Sequence, residues 1–190
     1  MARKLGLTRR DVVEAADAIA DRDGLDNLSL RAVADALGVR SPSLYAHIDG
    51  LAGLRRLLSI EGARRLGRAL VEAAEGMEGD DALHRFAAAA RRFATEHPGL
   101  YDASQLAVRA GEDDEVYAAL AEPVAVIAAA LTAAGHEGET VIPLIRGLRA
   151  AVHGFVLLER SAGFGMPEDV DESFRTMIEV FIAGMGTRLG

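Results

Sequence analysis

The sequence predicts an all-α fold. Apolar residues recur at intervals of three and four along nearly the whole chain, and almost no stretch alternates as a strand would. The 190 residues are 50% hydrophobic and include no cysteine, so the chain can bury a core that packing alone must hold. We expect a cytoplasmic protein without a membrane span, because no apolar run reaches about eighteen residues and the Arg3-Lys4 start lacks a signal peptide's apolar region.

Charge is distributed unevenly along the chain. The net charge is −8, which by itself argues against a nucleic-acid partner. Residues 1–65, however, hold eleven Lys or Arg and nine Asp or Glu, whereas residues 66–190 hold ten and twenty. A mildly basic head on an acidic body is compatible with a DNA-binding head, although a solvated face would give the same pattern.

Two helices are predicted before residue 38. Thr8 followed by Asp11 resembles a capping box, and the apolar residues after it have helical spacing, which predicts a helix over 9–22. Ser29 is placed to cap a second helix over 30–37, about two turns long.

The stretch ALGVRSPSLYAHIDG predicts a tight turn followed by a third short helix. Gly38 stands where a helix C-cap requires a positive φ, and Ser41 supplies an N-cap before Pro42 at the first helical position. The third helix should extend from Pro42 to about Ile48, with Leu44 facing inward. Two short helices joined by a glycine turn are typical of a helix-turn-helix, whose second helix enters the major groove.

The segment TRRDVVEAADAIADRDGLDNLSLRAVADALGVRSPSLYAHIDG resembles the N-terminal DNA-binding domain of the tetracycline-repressor (TetR) family. It departs from the family pattern after its Leu-Tyr-x-His block, where members often carry a phosphate-binding lysine and this chain reads Ile48-Asp49-Gly50. Phosphate contacts would then come from backbone N–H groups at the next helix start or from Arg55 and Arg56. The resemblance implies that the DNA-facing residues are Arg40, Ser41, Ser43, Tyr45 and His47.

Two of these residues have structural alternatives. Tyr45 could be a half-buried aromatic that holds the third helix on the first, and His47 could be a solvated or capping histidine. Chemistry is compatible with DNA contact for both, because their side chains can donate to phosphate oxygens while the rings pack on sugar.

Residues 51–190 are predicted to form a longer set of helices, over 51–75, 80–97, 112–134 and 171–188, with another in ETVIPLIRGLRAAVHGFVLLERSAG. The acidic run at 112–115 suits a helix N-terminus. Its consecutive carboxylates point in different directions around a helix, so we expect neither a metal site nor a cofactor.

The last two helices are predicted to form a homodimer interface. The first carries apolar residues on two faces and two glycines, Gly147 and Gly154, which indicate close approach by another helix. Two such helices from each subunit would make a four-helix interface. The interface residues expected on this basis are Val152, Gly154, Phe155, Phe174, Ile178 and Phe181.

The segment RAAVHGFVLLERSAGFGMPEDVDESF resembles a C-terminal domain type of tetracycline-repressor-family regulators named for a Trp-His-Gly motif, here Val152-His153-Gly154. His153 shares a face with several arginines and could bind an anionic ligand, or could be a satisfied interface histidine. The aromatic residues that suggest an apolar pocket are more often plain core at such spacings. The expected pocket residues are Phe86, Phe93, Tyr101, Tyr117 and His153.

We therefore expect a helix-turn-helix domain over 1–50 joined to a ligand-binding and dimerisation bundle over 51–190. The resemblance implies a homodimeric repressor that binds a near-palindromic operator in double-stranded DNA and leaves it when a small-molecule effector binds. No catalytic fingerprint is present and the five histidines lack ligand spacing, so no enzymatic activity is expected. An all-helical small-molecule-binding protein or enzyme without DNA binding is the alternative.

Overall fold

A computed structural model describes residues 6–105 and 111–186, and these residues form helices and no strand. The α-helices are α1 (Arg9–Asp23), α2 (Leu30–Leu37), α3 (Gly50–Ala73), α4 (Gly79–Glu96), α5 (Pro98–Ser104), α6 (Asp114–Ala133), α7 (Val141–Arg160) and α8 (Val170–Met185). Short 3-10 helices occupy Leu25–Asn27, Ser41–Ala46 and Gly138–Thr140. The all-α prediction is confirmed.

The structure differs from the prediction at two elements. The third helix is a six-residue 3-10 helix, Ser41–Ala46, rather than an α-helix that reaches Ile48. Directly after the predicted helix over 80–97 the structure has a further helix, α5, which the sequence did not predict; Pro98 begins it, because proline suits the first turn of a helix. The local sequence therefore predicted the end of the preceding helix but not the start of α5.

The chain folds into two compact units. The N-terminal unit comprises residues 6–64 with 97–120, and the C-terminal unit comprises 65–96 with 121–186, among the described residues. The division falls inside α3 and α6 rather than at residue 50, where the sequence suggested a domain boundary. The reason is that α5 packs on α1 and the start of α6 packs on α3.

Local caps define the helices of the N-terminal unit as the sequence predicted. Thr8 and Asp11 form the reciprocal capping box of α1, and the Ser29 hydroxyl accepts from the backbone N–H of Ala32 at the start of α2. Gly38 ends α2 in the left-handed conformation, with φ 66°. Most residues that carry a Cβ adopt this conformation only with strain. The core residues of the N-terminal unit include Val12, Ala16, Ile19, Val33, Ala34, Leu44, Leu54 and Leu58.

Helix α5 is held closely against α1. The Asp21 carboxylate accepts a hydrogen bond of 2.7 Å from the backbone N–H of Gly99. A Cβ atom added at Gly99 would lie 2.5 Å from the Cβ of Ala20, so this position has room only for glycine. The N-terminal unit is therefore larger than the helix-turn-helix alone.

In the C-terminal unit, Arg91 of α4 joins the last two helices. Its Nε donates to Glu159 of α7 at 2.9 Å, and its Nη2 lies 2.7 Å from an oxygen of Asp171 in α8. The guanidinium also lies over the rings of Phe155 and Phe174, with Cζ 5.4 and 4.8 Å from the ring centroids. The Glu159 hydrogen bond raises the pKa of Arg91, with a smaller contribution from Asp171.

Helix α6 and the stretch Gly138–Arg160 are long and apolar enough, by length and composition alone, to cross a membrane. The sequence expectation of no span rested on an uninterrupted apolar run, which neither stretch has. Only 28% of the most apolar window in each is buried by the chain's own packing. Both helices therefore retain much apolar surface that the single chain leaves uncovered.

Candidate DNA-binding surface

The recognition segment, residues 41–47, consists of the 3-10 helix Ser41–Ala46 and its C-cap His47. It begins three residues after the left-handed Gly38, and the backbone N–H of Val39 still bonds to the carbonyl of Ala34. This connection positions the segment directly after α2. The glycine turn, which the sequence predicted, thus determines where the recognition segment begins.

The recognition segment has one buried face and one exposed face. Leu44 is fully buried and Ile48, just after the segment, is 5% exposed, whereas the adjacent Tyr45 is 61% exposed. Ser43 is also exposed. The structure therefore places Tyr45 on the surface rather than in a half-buried position.

The remaining predicted DNA-facing residues flank this exposed face. Arg40 is exposed, and Ser41 and His47 are half-buried. Among the described residues the side chain of Arg40 has no hydrogen-bond or ion-pair partner. Four of the five predicted residues thus lie within the recognition segment, and Arg40 lies directly before it.

Arg55 and Arg56, which the sequence suggested as substitute phosphate ligands, are both occupied by protein groups. Arg55 Nη2 donates to the carbonyl of Leu25 at 3.2 Å. Arg56 forms a bidentate ion pair with Asp113 and also bonds to Glu115 at 2.8 Å. Arg56, whose charge is already balanced by two carboxylates, is therefore a poor candidate for a phosphate contact. Arg55 donates to a neutral carbonyl and keeps its charge.

The Arg56 ion pair also fixes the start of α6. Asp113 accepts from the backbone N–H of Val116 at 3.2 Å while it bonds to Arg56. The hydrogen bond from Arg56 is the main reason that the pKa of the Asp113 carboxyl lies below its ordinary value, and the Val116 amide adds to this effect. Because Arg56 and Asp113 are far apart in sequence, no local pattern could have revealed the pair.

A further arginine reaches the recognition segment from α1. Arg9, the first residue of that helix, donates from Nε to the backbone carbonyl of His47 at 3.1 Å. Sequence reasoning did not single out this residue, since the acceptor is a main-chain group 38 positions away.

Comparisons with known proteins agree with this geometry. The model of the family "Tetracyclin repressor-like, C-terminal domain" matches residues 83–181. An uncharacterised HTH-type transcriptional regulator of Bacillus subtilis, YobS, is 35% identical over 97% of this chain and 96% of its own length. The chain belongs to the tetracycline-repressor family. Another uncharacterised HTH-type transcriptional regulator, from Mycobacterium tuberculosis, is 36% identical over 99% of this chain and 86% of its own length.

Solved structures share the fold of this tetracycline-repressor-family chain. A protein of unknown function from Rhodococcus sp. RHA1 aligns with a TM-score of 0.77 at 24% identity, covering 96% of this chain and 97% of that one. ActR from Streptomyces coelicolor, solved in complex with (S)-DNPA, aligns with a TM-score of 0.67 at 20% identity, covering 95% and 98%. The family's helix-turn-helix and helical C-terminal architecture is thus confirmed for this chain.

The residues expected in an effector pocket lie in different units. Phe86 and Phe93 of α4 are 4% and 5% exposed and belong to the C-terminal unit with His153 of α7. Tyr101 is buried in the N-terminal unit, and Tyr117 of that unit is 46% exposed. The C-terminal unit also has a groove of about 230 Å³ between α3 and α6, lined by Gly67, Arg68, Val71, Glu72, Glu122 and Val126. None of the expected pocket residues lines this groove.

Four of the six expected interface residues are core residues of the single chain. Val152, Phe155, Phe174 and Ile178 are 2–7% exposed, so a second subunit could not reach them. Phe181 is half-buried, and its ring lies where a Cβ at Gly147 would come within 3.0 Å. The expected close helix approach is therefore confirmed at Gly147, but it is made by α8 of the same chain.

Gly154 differs from Gly147. A Cβ added at Gly154 would meet nothing within 4 Å. The surface apolar residues on the same two helices are Ile142, Leu157, Leu158 and Val180, which are 46–67% exposed. These residues, and not the buried seam that the periodicity indicated, are available to a second copy. In residues 6–105 and 111–186 no group of three or more His, Asp or Glu could hold a metal ion.

Proposed function

We propose that this protein is a homodimeric, cytoplasmic repressor that binds near-palindromic operator DNA through Arg40 and the recognition segment and is released by a small-molecule effector. The observation that carries the proposal is the exposure of Tyr45, 61%, beside the fully buried Leu44. A large aromatic residue on an anchored segment, next to an unpaired arginine, offers DNA a rigid surface with donors for bases and phosphates.

The distribution of cations supports a small number of phosphate contacts. Arg55 and Arg56 are occupied within the protein, and Arg10 is paired with Glu14 at 2.6 Å. Arg40 is accordingly our principal candidate for a cationic contact to DNA. Since the whole chain carries −8, affinity should depend strongly on salt, as counterion release at the phosphates must outweigh general repulsion.

The proposed dimer uses the outward faces of α7 and α8, at Gly154, Leu157, Leu158 and Val180. These side chains support the proposal because apolar surface of this kind is normally covered in solution. The apolar composition of α7 has the same explanation: its inward face packs in the chain and its outward face packs on the partner. A closed two-fold dimer would present two recognition segments about 34 Å apart, or a multiple of that spacing.

For the effector, we propose a site in the C-terminal unit near Phe86, Phe93 and His153. Helices α4 and α7, which carry these residues, pack against each other. The groove between α3 and α6 is smaller than the ~300–1,000 Å³ typical of ligand pockets, and Val71 on its wall is 55% exposed. An effector that binds one helix arrangement better would shift the dimer away from the DNA-binding arrangement by no more than that differential affinity.

We also propose that the protein acts by binding DNA and an effector rather than as an enzyme. Both relatives are named transcriptional regulators, and those names support a role in DNA binding. Cytoplasmic location follows from the need to reach DNA.

The test is operator binding by purified dimer. Genomic fragments retained by the protein would first define a duplex, and fluorescence anisotropy would then compare wild type with Arg40→Ala and Tyr45→Ala. At ~1–3 kcal/mol for a good base contact, acting twice in a dimer, each change should weaken binding by about thirtyfold to about twenty thousandfold. Arg22→Ala is the matched charge control, because Arg22 is paired with Asp23 at the far end of α1. Wild-type protein that retains no fragment, or an Arg22 variant as weak as Arg40→Ala, would contradict the proposal.

A further inference from the structure

We infer that Arg9 is a positioning residue for operator recognition: it holds the C-terminal end of the recognition segment in place and does not itself contact DNA. The inference rests on the proposed function, since it assigns a role within the same DNA-binding surface. It concerns a residue on α1, outside the turn and segment that the sequence pattern marks.

The recognition segment has little structure of its own to fix its orientation. It is a six-residue 3-10 helix without a side-chain cap hydrogen bond, and Leu44 is its one buried residue. Such helices have poorer hydrogen-bond geometry than α-helices and are stable mainly in context. Leu44 and, just after the segment, Ile48 anchor it through apolar contacts. A polar attachment at His47, between these two anchors, would further fix how the segment is oriented.

Arg9 supplies that polar attachment. Its Nε–H donates to the carbonyl of His47 at 3.1 Å, and the carbonyl end of a helix is the end that favours a cation. In the part of the chain that the structure describes, this is the one side-chain hydrogen bond made to residues 41–47. Leu44 from within and Arg9 at the end together define how Tyr45 and Ser43 face outward.

The base of the Arg9 side chain is itself well placed. Arg9 follows Thr8, whose backbone N–H and hydroxyl donate to the Asp11 carboxylate at 2.8 and 2.7 Å. This capping box restrains the first turn of α1. The neighbouring Arg10 points elsewhere, to Glu14 on the same helix. Two adjacent exposed arginines therefore have different roles: one bonds to the recognition segment and one pairs along its own helix.

A positioning residue and a phosphate ligand differ in what they contribute to binding. Loss of a phosphate ligand weakens binding to every sequence alike and lowers the salt slope by about one. Loss of a positioning residue misaligns base contacts, so that binding to the operator weakens while binding to unrelated DNA is preserved. The ratio of the two affinities therefore separates the roles.

The experiment compares Arg9→Gln, Arg9→Lys and Arg10→Gln by anisotropy on the selected duplex and on a scrambled duplex of equal length, over a range of salt. We expect Arg9→Gln to weaken operator binding on the order of tenfold or more, as for loss of a charge-assisted hydrogen bond in each subunit. Binding to the scrambled duplex should stay within about twofold and the salt slope should not change. Arg9→Lys, which keeps a cationic donor, should recover part of the affinity, and Arg10→Gln should leave the affinity ratio unchanged.

Hydrogen exchange of the free protein gives a second measurement that needs no DNA. Arg9→Gln should speed amide exchange in residues 41–48 and leave α2 unchanged, whereas Arg10→Gln should change neither. Equal weakening on both duplexes with a lower salt slope would make Arg9 a phosphate ligand and overturn the inference. Unchanged operator binding, or unchanged exchange in the segment, would also overturn it. If wild type bound no duplex at all, the proposed function would fail, while the exchange measurement would still decide whether Arg9 holds the segment.

Discussion

The N-terminal and C-terminal units treat their apolar residues differently. In the N-terminal unit the exposed large apolar side chains are Tyr45 and Tyr117, among the residues described. The C-terminal unit exposes more of them, namely Val71, Met77, Ile142, Leu157, Leu158, Met166 and Val180. The first unit covers its own core and turns polar groups outward, as a surface for DNA requires. The second leaves apolar faces that another copy of the chain would cover.

The two units also differ in how far their ion pairs are buried. The Arg91 side chain is 17% exposed and lies among aromatic rings in the C-terminal unit. Arg56 in the N-terminal unit is 36% exposed and pairs with carboxylates at the surface. Because solvent screens exposed pairs, the Arg91 pair should contribute more to stability than the Arg56 pair.

Among the changes considered, Leu44→Ala is expected to have the largest effect on the free energy of unfolding. This change removes the anchor of the recognition segment and should lower the free energy of unfolding by about 2–5 kcal/mol, as cavities in buried cores do. Tyr45→Ala, one position later and exposed, should change it by less than about 0.5 kcal/mol. Urea denaturation measures both. Equal destabilisation by the two changes would place Tyr45 in the core and remove it from the DNA-facing set.

The next test concerns the apolar face of the C-terminal unit. Gly154→Leu should shift the dimer toward monomer, because a side chain inserted into a packed interface costs about 1–3 kcal/mol. The monomer itself should not lose stability, since nothing in the chain lies within 4 Å of the new Cβ and leucine is the better helix former. Analytical ultracentrifugation over a concentration series measures the shift, with Gly154→Ala as the mild control. Sedimentation identical to wild type would mean that the interface lies elsewhere.

A smaller loss is expected from Arg91→Ala. It would leave Glu159, whose side chain is 30% exposed, without its main partner and remove the cation from between Phe155 and Phe174. We expect a loss of about 1–3 kcal/mol in unfolding free energy. Arg92→Ala, at the neighbouring exposed position, is the control and should change little. A similar response from both variants would show that the Arg91 pair has no special stabilising role.

The smallest effect should come from the Arg56–Asp113 pair and should depend on pH. The pKa of Asp113 is lowered in the folded protein, chiefly by Arg56. Its stabilising contribution is therefore fully present above the ordinary aspartate pKa and is lost as pH falls through the lowered folded value. The stability difference between wild type and Asp113→Asn should be constant from about pH 5 to 7 and shrink below about pH 4. A difference that grew on acidification would have the wrong sign for this pair.

Much of the DNA-binding surface could be predicted because its signals are local. The capping box at Thr8, the cap at Ser29 and the left-handed Gly38 all occur where the sequence indicated them. Each depends on residues a few positions apart. The burial of Leu44 beside the exposed Tyr45 also follows from neighbouring positions on one short helix.

Four of the residues expected in the dimer interface lie instead in the core of the single chain, for a physical reason. Helical periodicity at Val152, Phe155 and Ile178 shows that these residues share an apolar face, but not which apolar surface covers that face. In the folded chain, α4, α7 and α8 cover one another at these positions. Leu157 and Val180, which lie off this apolar face, remain exposed on the surface of the single chain.

The sequence by itself determined the all-α class, the boundaries of α1–α4, α6 and α8 to within a few residues and the turn that begins the recognition segment. These depend on backbone preferences and caps that act over one to four residues. Tertiary structure alone decided that Arg9, Arg55 and Arg56 are occupied within the protein, because their partners lie 38, 30 and 57 positions away. It also decided that α5 joins the N-terminal unit. Such long-range contacts depend on how helices pack, and packing is a property of the whole core rather than of any short segment.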